Sequence, residues 1–138
     1  MKKRKGSIPI GELLILLIGL AALAVVFSTC LKVIRCVSIR DKADQIARCY
    51  ILEMETVGYL SATSGNSLTQ ELLALDVTDV DLTGTTMTDV GYGQRIYLQI
   101  SYQIPMENLN TSSGNLMSFF FEDKKMLMNI KKMSTAKR

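Results

Sequence analysis

Few residues in this chain have side chains that could do chemistry. The 138 residues include no histidine, which excludes a Ser-His or Cys-His nucleophile pair and any histidine-ligated metal site. One carboxylate stands out by its position, because Glu12 is the single charged residue between Ile8 and Phe27. A carboxylate beside a membrane-length apolar run is costly unless it reaches water or a cation. Glu12 is therefore the first candidate functional residue.

Two interpretations of Glu12 follow from the residues alone. In the first, its side chain lies at a membrane interface and is solvated by headgroup water. In the second, another polypeptide supplies a cation, so the carboxylate is satisfied only on assembly. The second interpretation makes Glu12 an assembly residue that sets subunit register, while the surrounding Leu, Ile and Ala side chains supply packing.

The other candidate chemistry is weak. Asp76, Asp79 and Asp81 resemble a carboxylate cluster, but their spacing lacks the glycine turn and closing glutamate of a calcium loop. We interpret them as a solvated strand face. Gly91 and Gly93 form no phosphate loop, because no strand-to-helix connection surrounds them. The sequence therefore predicts no catalytic residue, no cofactor, no metal and no enzyme activity.

The chain has three cysteines, Cys30, Cys36 and Cys49. An odd number does not indicate a closed disulfide framework. On one helix, Cys36 and Cys49 would lie about 20 Å apart, beyond the reach of a disulfide. We expect Cys30 to be a membrane residue and the other two to lie on helix faces, with a bridge between subunits as the alternative.

Charge is unevenly distributed along the chain. The net charge is +3, and the first six residues carry four positive charges. Residues 61–93 carry five acidic side chains and no basic one, and the region that follows is basic again. This is not the one-sided basic balance of a nucleic-acid binder, and nothing in the sequence indicates a small-molecule substrate.

An apolar segment follows the basic start. The nineteen residues from Leu13 to Leu31 carry no charge, which is close to the roughly 20 residues that span a bilayer as a helix. We expect a basic leader over residues 1–6 and a transmembrane helix over 7–34. The KKRK cluster favours a cytoplasmic N-terminus. The alternative is a removed secretory signal, for which Ala22-Leu23-Ala24 resembles a cleavage box.

An amphipathic pattern continues from this segment without a break. Apolar residues recur three and four positions apart, as on one face of a helix; they are Ile39, Ala43, Ile46, Tyr50, Met54, Val57 and Leu60. The pattern predicts one continuous helix from about Pro9 to Leu60, with residues 35–62 as its amphipathic part. Pro9 suits a first helical turn, and Gly58 with residues 61–67 is expected to end the helix.

The remaining residues, 63–138, are expected to form a small β-rich domain. Ser67 and Gln70 form a capping-box pattern, which predicts a short second helix, and Val80 and Leu82 alternate with acids as in a strand. The segment 95–104 alternates cleanly and predicts a strand after a turn at residues 90–94. Its inward face is Ile96, Leu98, Ile100, Tyr102 and Ile104.

The segments after the strand at 95–104 have less regular sequence patterns. Residues 107–115 indicate a loop, and residues 117–123 are either a strand or a buried turn. Residues 124–133 predict a last strand with Met126, Met128 and Ile130 inward, the methionines serving as core filler. The predicted fold class is α+β: a long N-terminal helix packed on a small antiparallel sheet of three or four strands.

The segment KKRKGSIPIGELLILLIGLAALAVV, residues 2–26, resembles the start of type IV pilin-like proteins, including the TadE-like pseudopilins. Those families share a basic leader ending in glycine, an apolar helix with a glutamate near its start, and a small sheet. The resemblance implies that a prepilin peptidase cuts after Gly6 and leaves Ser7 as the first residue. Glu12 would then pair with the N-terminal amine of a neighbouring subunit. It becomes the sixth residue after cleavage, one position later than in those families.

The expected function is therefore structural: a minor pilin-like subunit of a surface filament or of a secretion or conjugation apparatus. The expected partners are membrane lipid, further copies or other pilin-like subunits, and a prepilin peptidase. The expected location is the bacterial cell membrane, with an extracytoplasmic C-terminal domain. One alternative is a single-pass accessory protein whose extracytoplasmic domain binds a protein partner. The other is a secreted enzyme released by signal removal, for which the sequence offers no site.

Overall fold

A computed structural model describes residues 9–105 and 125–137 of the chain. It is an α+β arrangement of two helices followed by three strands. The elements are α1 (Ile10–Val57), α2 (Ala62–Leu73), β1 (Thr78–Asp81), β2 (Arg95–Ile104) and β3 (Met126–Thr135). The chain divides into two compact units, one ending at Arg35 and the other beginning at Cys36. The described part of the first unit is the apolar part of α1, and the second unit holds the rest of α1 and the other elements.

The prediction of one continuous helix is confirmed by α1, which ends three residues before the predicted Leu60. The Pro9 carbonyl accepts the Glu12 N–H at 2.9 Å and so opens the first turn. Gly58 follows the last turn with φ of +91°, and its N–H donates to the Met54 carbonyl at 2.7 Å. A glycine in this left-handed conformation is the usual end of a helix.

The prediction that the second helix begins at Ser67 is wrong. The N-cap of α2 is Ser61, whose Oγ accepts the Ser64 N–H at 3.1 Å, so the expected capping box lies inside the helix. Packing overrides the low helix propensity of this stretch. Gly65 is buried, and a Cβ placed there would already contact Leu60 and Leu82.

The three strands form one antiparallel sheet in the order β1-β2-β3. The central strand β2 has the predicted bounds, and all five residues of its predicted inward face are buried. The shorter β1 has an irregular register between Thr78 and Asp81. Along β3, Ile130 is buried and Met128 half-buried as predicted, whereas Met126 is 41% exposed because it lies at the strand's end. The predictions for residues 107–115 and 117–123 lie outside the described residues.

The core of the second unit combines one face of α1 with the inward face of the sheet. Buried residues on α1 are Cys36, Ile39, Ala43, Ala47, Tyr50, Ile51 and Met54. They form one hydrophobic cluster with the buried residues of α2 and β2. Ala43 and Ala47 are fully buried, and such small side chains let a helix approach a sheet closely. Cys49 is exposed on α1, and the Cys36 Sγ lies 3.5 Å from the Met126 Sδ.

Candidate functional site

Glu12 lies in the first turn of α1, and its side chain is exposed. An acidic residue in the first turn interacts favourably with the exposed N–H groups and the dipole of a helix. This local stabilisation is a physical reason for a carboxylate at this position that the sequence interpretation did not consider. The predicted cleavage residues Gly6 and Ser7 lie outside the described residues, so cleavage there stays a prediction.

The apolar part of α1 exposes its side chains on every side. None of residues 10–34 is buried, and exposed leucine, isoleucine, valine and phenylalanine side chains occur throughout the segment. The Thr29 hydroxyl donates to the Val25 carbonyl at 2.9 Å, so this polar group is satisfied within the helix. The helix is long enough and apolar enough to cross a membrane. Cys30 is exposed on the same surface.

A charged groove lies between α1 and β3 in the second unit. Its volume is about 760 Å³. The lining residues are Val37, Arg40, Asp41, Asp44, Gln45 and Arg48 of α1 and Asn129, Ile130, Lys131 and Lys132 of β3. Four of these side chains are basic and two are acidic, so the groove carries an excess of two positive charges. We call this feature the α1–β3 groove.

Asp44 is the centre of the ion pairs in the α1–β3 groove. Its Oδ1 lies 2.5 Å from the Lys132 Nζ, and its Oδ2 accepts the Arg48 Nε–H at 2.8 Å. The hydrogen bond from Lys132 contributes most to lowering the pKa of Asp44, Arg48 adds to it, and partial burial opposes it. The carboxylate is therefore ionised at neutral pH and links the helix to the edge strand.

Tyr102 of β2 lies in the hydrophobic core of the second unit. Its side chain is fully buried, and its hydroxyl has no hydrogen-bond partner among the described residues. Burial raises the pKa of Tyr102, the charge of Arg40 opposes the shift, and Cys36 and Asp44 add to it. The hydroxyl stays protonated, and an unsatisfied buried hydroxyl costs about 1–3 kcal/mol. The alternation of β2 predicted the burial of Tyr102 but not its unpaired hydroxyl.

The three aspartates near β1 are exposed as predicted, but only Asp79 and Asp81 lie on the strand, because Asp76 belongs to the turn before it. Asp81 Oδ1 accepts the Thr83 N–H at 3.0 Å and the Thr83 hydroxyl at 2.5 Å, so this last residue of β1 also stabilises the turn that follows the strand. Asp79 lies 4.0 Å from the Lys125 Nζ, and both side chains are about 60% exposed. Across the described residues there is no group of three His, Cys, Asp or Glu side chains that could hold a metal ion.

Sequence reasoning missed the α1–β3 groove. Its signal was present, because Arg40, Asp44 and Arg48 recur every four residues and so share one helix face. The pattern does not say which strand lies beside that face. Lys132 could be placed against Asp44 only once the position of β3 was known.

The predicted residue Glu12 and the groove residues belong to different units of the chain. Glu12 belongs to the first unit, and the α1–β3 groove belongs to the second. Each is therefore a separate candidate, one on an apolar helix surface and one on a charged surface. In comparisons with known proteins, no family model, no curated protein and no solved structure matches the chain.

Proposed function

We propose that the protein is a single-pass membrane protein and a structural, minor pilin-like subunit of the TadE-like type. It would serve a surface filament or a secretion or conjugation apparatus of a bacterium. The observation that carries the proposal is the position of Glu12, a carboxylate in the first turn of a helix whose next nineteen residues are uncharged and none of them buried. The resemblance of residues 2–26 to pilin-like proteins supports the same function.

The exposed apolar side chains of α1 explain how such a subunit is stored and then assembled. Before assembly, lipid covers them, since a helix satisfies its own backbone hydrogen bonds and needs only an apolar surrounding. During assembly, the apolar helices of neighbouring subunits replace the lipid. The cytoplasmic KKRK cluster holds the N-terminus inside until the leader is removed, and the second unit lies on the extracytoplasmic side.

In this proposal, Glu12 sets the register between neighbouring subunits. Removal of residues 1–6 by a prepilin peptidase would create a new amine at Ser7. The Glu12 carboxylate of one subunit then pairs with the Ser7 amine of the next. Breaking a buried ion pair by removing one partner costs several kcal/mol, so subunits that are out of register are disfavoured. No step in this function is catalytic.

Cross-linking of full-length protein in its native membrane tests this proposal. Glu12→Gln keeps the size of the side chain and removes its charge, and we expect it to reduce cross-linked oligomers at least about tenfold. Glu12→Asp keeps the charge and is the matched control, which should retain much of the assembly. Unchanged cross-linking in Glu12→Gln and Glu12→Leu would instead favour an anchored accessory protein that binds a different partner.

A further inference from the structure

We propose that the α1–β3 groove receives the acidic β1 edge of a second copy of this chain. The acidic β1 edge consists of Asp79 and Asp81, which are exposed. The proposal rests on the proposed function, because it names a contact between the subunits of the same assembly. It assigns that contact to the second unit, whereas the pilin resemblance concerns only the N-terminal helix.

The first argument is charge. The groove has an excess of two positive charges, and Asp44 is already shared by Lys132 and Arg48. Arg40 and Lys131 also line it, and both are exposed. Residues 61–93, which contain β1, carry five acids and no basic residue. The two surfaces are therefore electrostatically complementary, and complementary charge favours association and specifies its orientation.

The second argument is position in the sheet. The strand order β1-β2-β3 puts the acidic strand at one edge and the groove strand at the other. The lining of the groove includes Asn129 and Lys131 from one face of β3 and Ile130 and Lys132 from the other, so the groove follows the edge of the sheet. Complementary surfaces at opposite edges of one sheet form a head-to-tail contact.

The third argument is symmetry. A head-to-tail contact joins two different surfaces, so each subunit keeps one surface free for the next copy. Such a contact repeats in one direction and builds a ring or an open filament. A two-fold dimer would need the groove and the acidic edge within one self-complementary patch, whereas they lie at opposite edges of the sheet. The arrangement of charge in the second unit therefore favours a growing assembly over a closed dimer.

Zero-length carbodiimide cross-linking tests the contact on full-length protein in its native membrane. The reagent condenses a carboxylate with a touching amine and takes up the water that is lost. We expect isopeptide bonds between Asp79 or Asp81 of one copy and Lys131 or Lys132 of another. A mixture of isotope-labelled and unlabelled chains identifies bonds between copies. The Glu55–Lys137 pair, 2.6 Å apart within one chain, is the positive control for the reagent.

Two charge-neutralised variants make the test specific. The groove variant is Arg40→Gln with Lys131→Gln, and the edge variant is Asp79→Asn with Asp81→Asn. At position 79, asparagine tolerates the positive φ of the backbone. At position 81, its side-chain oxygen still accepts the Thr83 N–H. Each variant alone should lose cross-linked oligomers about tenfold. Mixed together they should form dimers without longer oligomers, because one intact groove then meets one intact edge.

Lys42→Gln is the matched control, since Lys42 is exposed on α1 and does not line the groove. It should cross-link like the unmodified chain. Oligomers that depend on Glu12 but not on the groove or edge variants would overturn this contact and leave the proposed function standing. Groove variants that alter only binding to vesicles containing anionic lipid would also overturn it. The complete absence of contacts between copies would overturn both proposals.

Discussion

The Lys137 ammonium lies 2.6 Å from the Glu55 carboxylate, and the Lys137 backbone N–H donates to the Glu55 carbonyl at 2.7 Å. The same carboxylate accepts the Ser134 hydroxyl. The two ends of this contact are 82 residues apart in the sequence. Glu55 of α1 thus binds both the side chain and the backbone of Lys137, just after β3. This contact holds the end of β3 against the helix.

This contact predicts an acid-sensitive stability. Hydrogen bonds from Lys137 and Ser134 hold the pKa of Glu55 below its ordinary value of 4.5. The unfolded chain therefore binds more protons than the folded chain as pH falls below 4.5. The contribution of Glu55 is present above that value and is lost as pH falls through the folded pKa. Asp44, whose pKa is also lowered, adds to the loss in the same direction.

Thermal unfolding of the full chain in detergent micelles, followed by circular dichroism, measures this effect. The Tm should fall as the pH is lowered below 4.5, and Glu55→Gln should make that fall smaller. Lys42→Gln should leave the pH dependence unchanged, because Lys42 belongs to neither contact. An identical pH dependence in Glu55→Gln and the unmodified chain would show that the contact does not stabilise the fold.

Two buried tyrosines differ in their hydrogen bonding, because the Tyr50 hydroxyl has a partner and the Tyr102 hydroxyl has none among the described residues. Replacing each by phenylalanine gives a matched pair of substitutions. Tyr50 donates to the Glu71 Oε1 at 2.9 Å, and burial, with a smaller effect of Glu71, raises the pKa of Tyr50 to about 12. Tyr50→Phe should destabilise the protein by about 1 kcal/mol, because it leaves Glu71 without this donor. Tyr102→Phe should be neutral or stabilising by about 1 kcal/mol, because it removes an unsatisfied buried hydroxyl.

Urea unfolding of the full chain in micelles should separate the two tyrosine variants. Equal destabilisation by Tyr50→Phe and Tyr102→Phe would mean that the Tyr102 hydroxyl has a partner. In that case the hydrogen bonding assigned to the core under α1 would be wrong.

Gly58 is required by the chain reversal after α1. Its φ is +91°, and a Cβ there would lie 2.9 Å from both the Asp89 Oδ1 and the Val90 carbonyl oxygen. Gly58→Ala should therefore cost about 2 kcal/mol of unfolding free energy. Gly91→Ala is the control, because a Cβ at Gly91 meets nothing within 4 Å. Similar midpoints in urea for the two variants would contradict this description of the turn.

The three cysteines provide a test of the proposed membrane span and its orientation. Cys30 lies in the apolar segment, Cys36 is buried and Cys49 is exposed in the second unit. In intact cells, a membrane-impermeant maleimide should label Cys49, but not Cys30 in lipid or Cys36 in the core. Chains that each retain one cysteine allow the sites to be compared directly. Labelling of Cys30 as fast as Cys49 would contradict a membrane span, and labelling of Cys49 only after lysis would reverse the orientation.

The sequence was sufficient for the elements whose pattern is local. Nineteen uncharged residues and a regular apolar spacing predicted α1, and strict alternation predicted β2 with its buried face. The start of α2 was mispredicted, because burial of Gly65 lets the helix extend back to Ser61. The neighbours of Gly65 are Leu60 and Leu82, and Leu82 is distant in sequence.

The contacts that join α1 to β3 are nonlocal, so they could not be predicted. Asp44 meets Lys132, and Glu55 meets Lys137, only because β3 lies beside α1. The residue types at these positions are ordinary for an exposed helix face. Glu12 was found from sequence alone because its charge contrasts with its neighbours.

The most direct test of the central claim is the N-terminal residue and intact mass of the protein isolated from its native membrane. The proposed function predicts a chain that begins at Ser7 and lacks the mass of residues 1–6. A chain that begins at Met1 would contradict processing as a pilin-like subunit. A chain that begins near Val25 would show that the apolar segment is a removed signal and that Glu12 has no role in the mature protein.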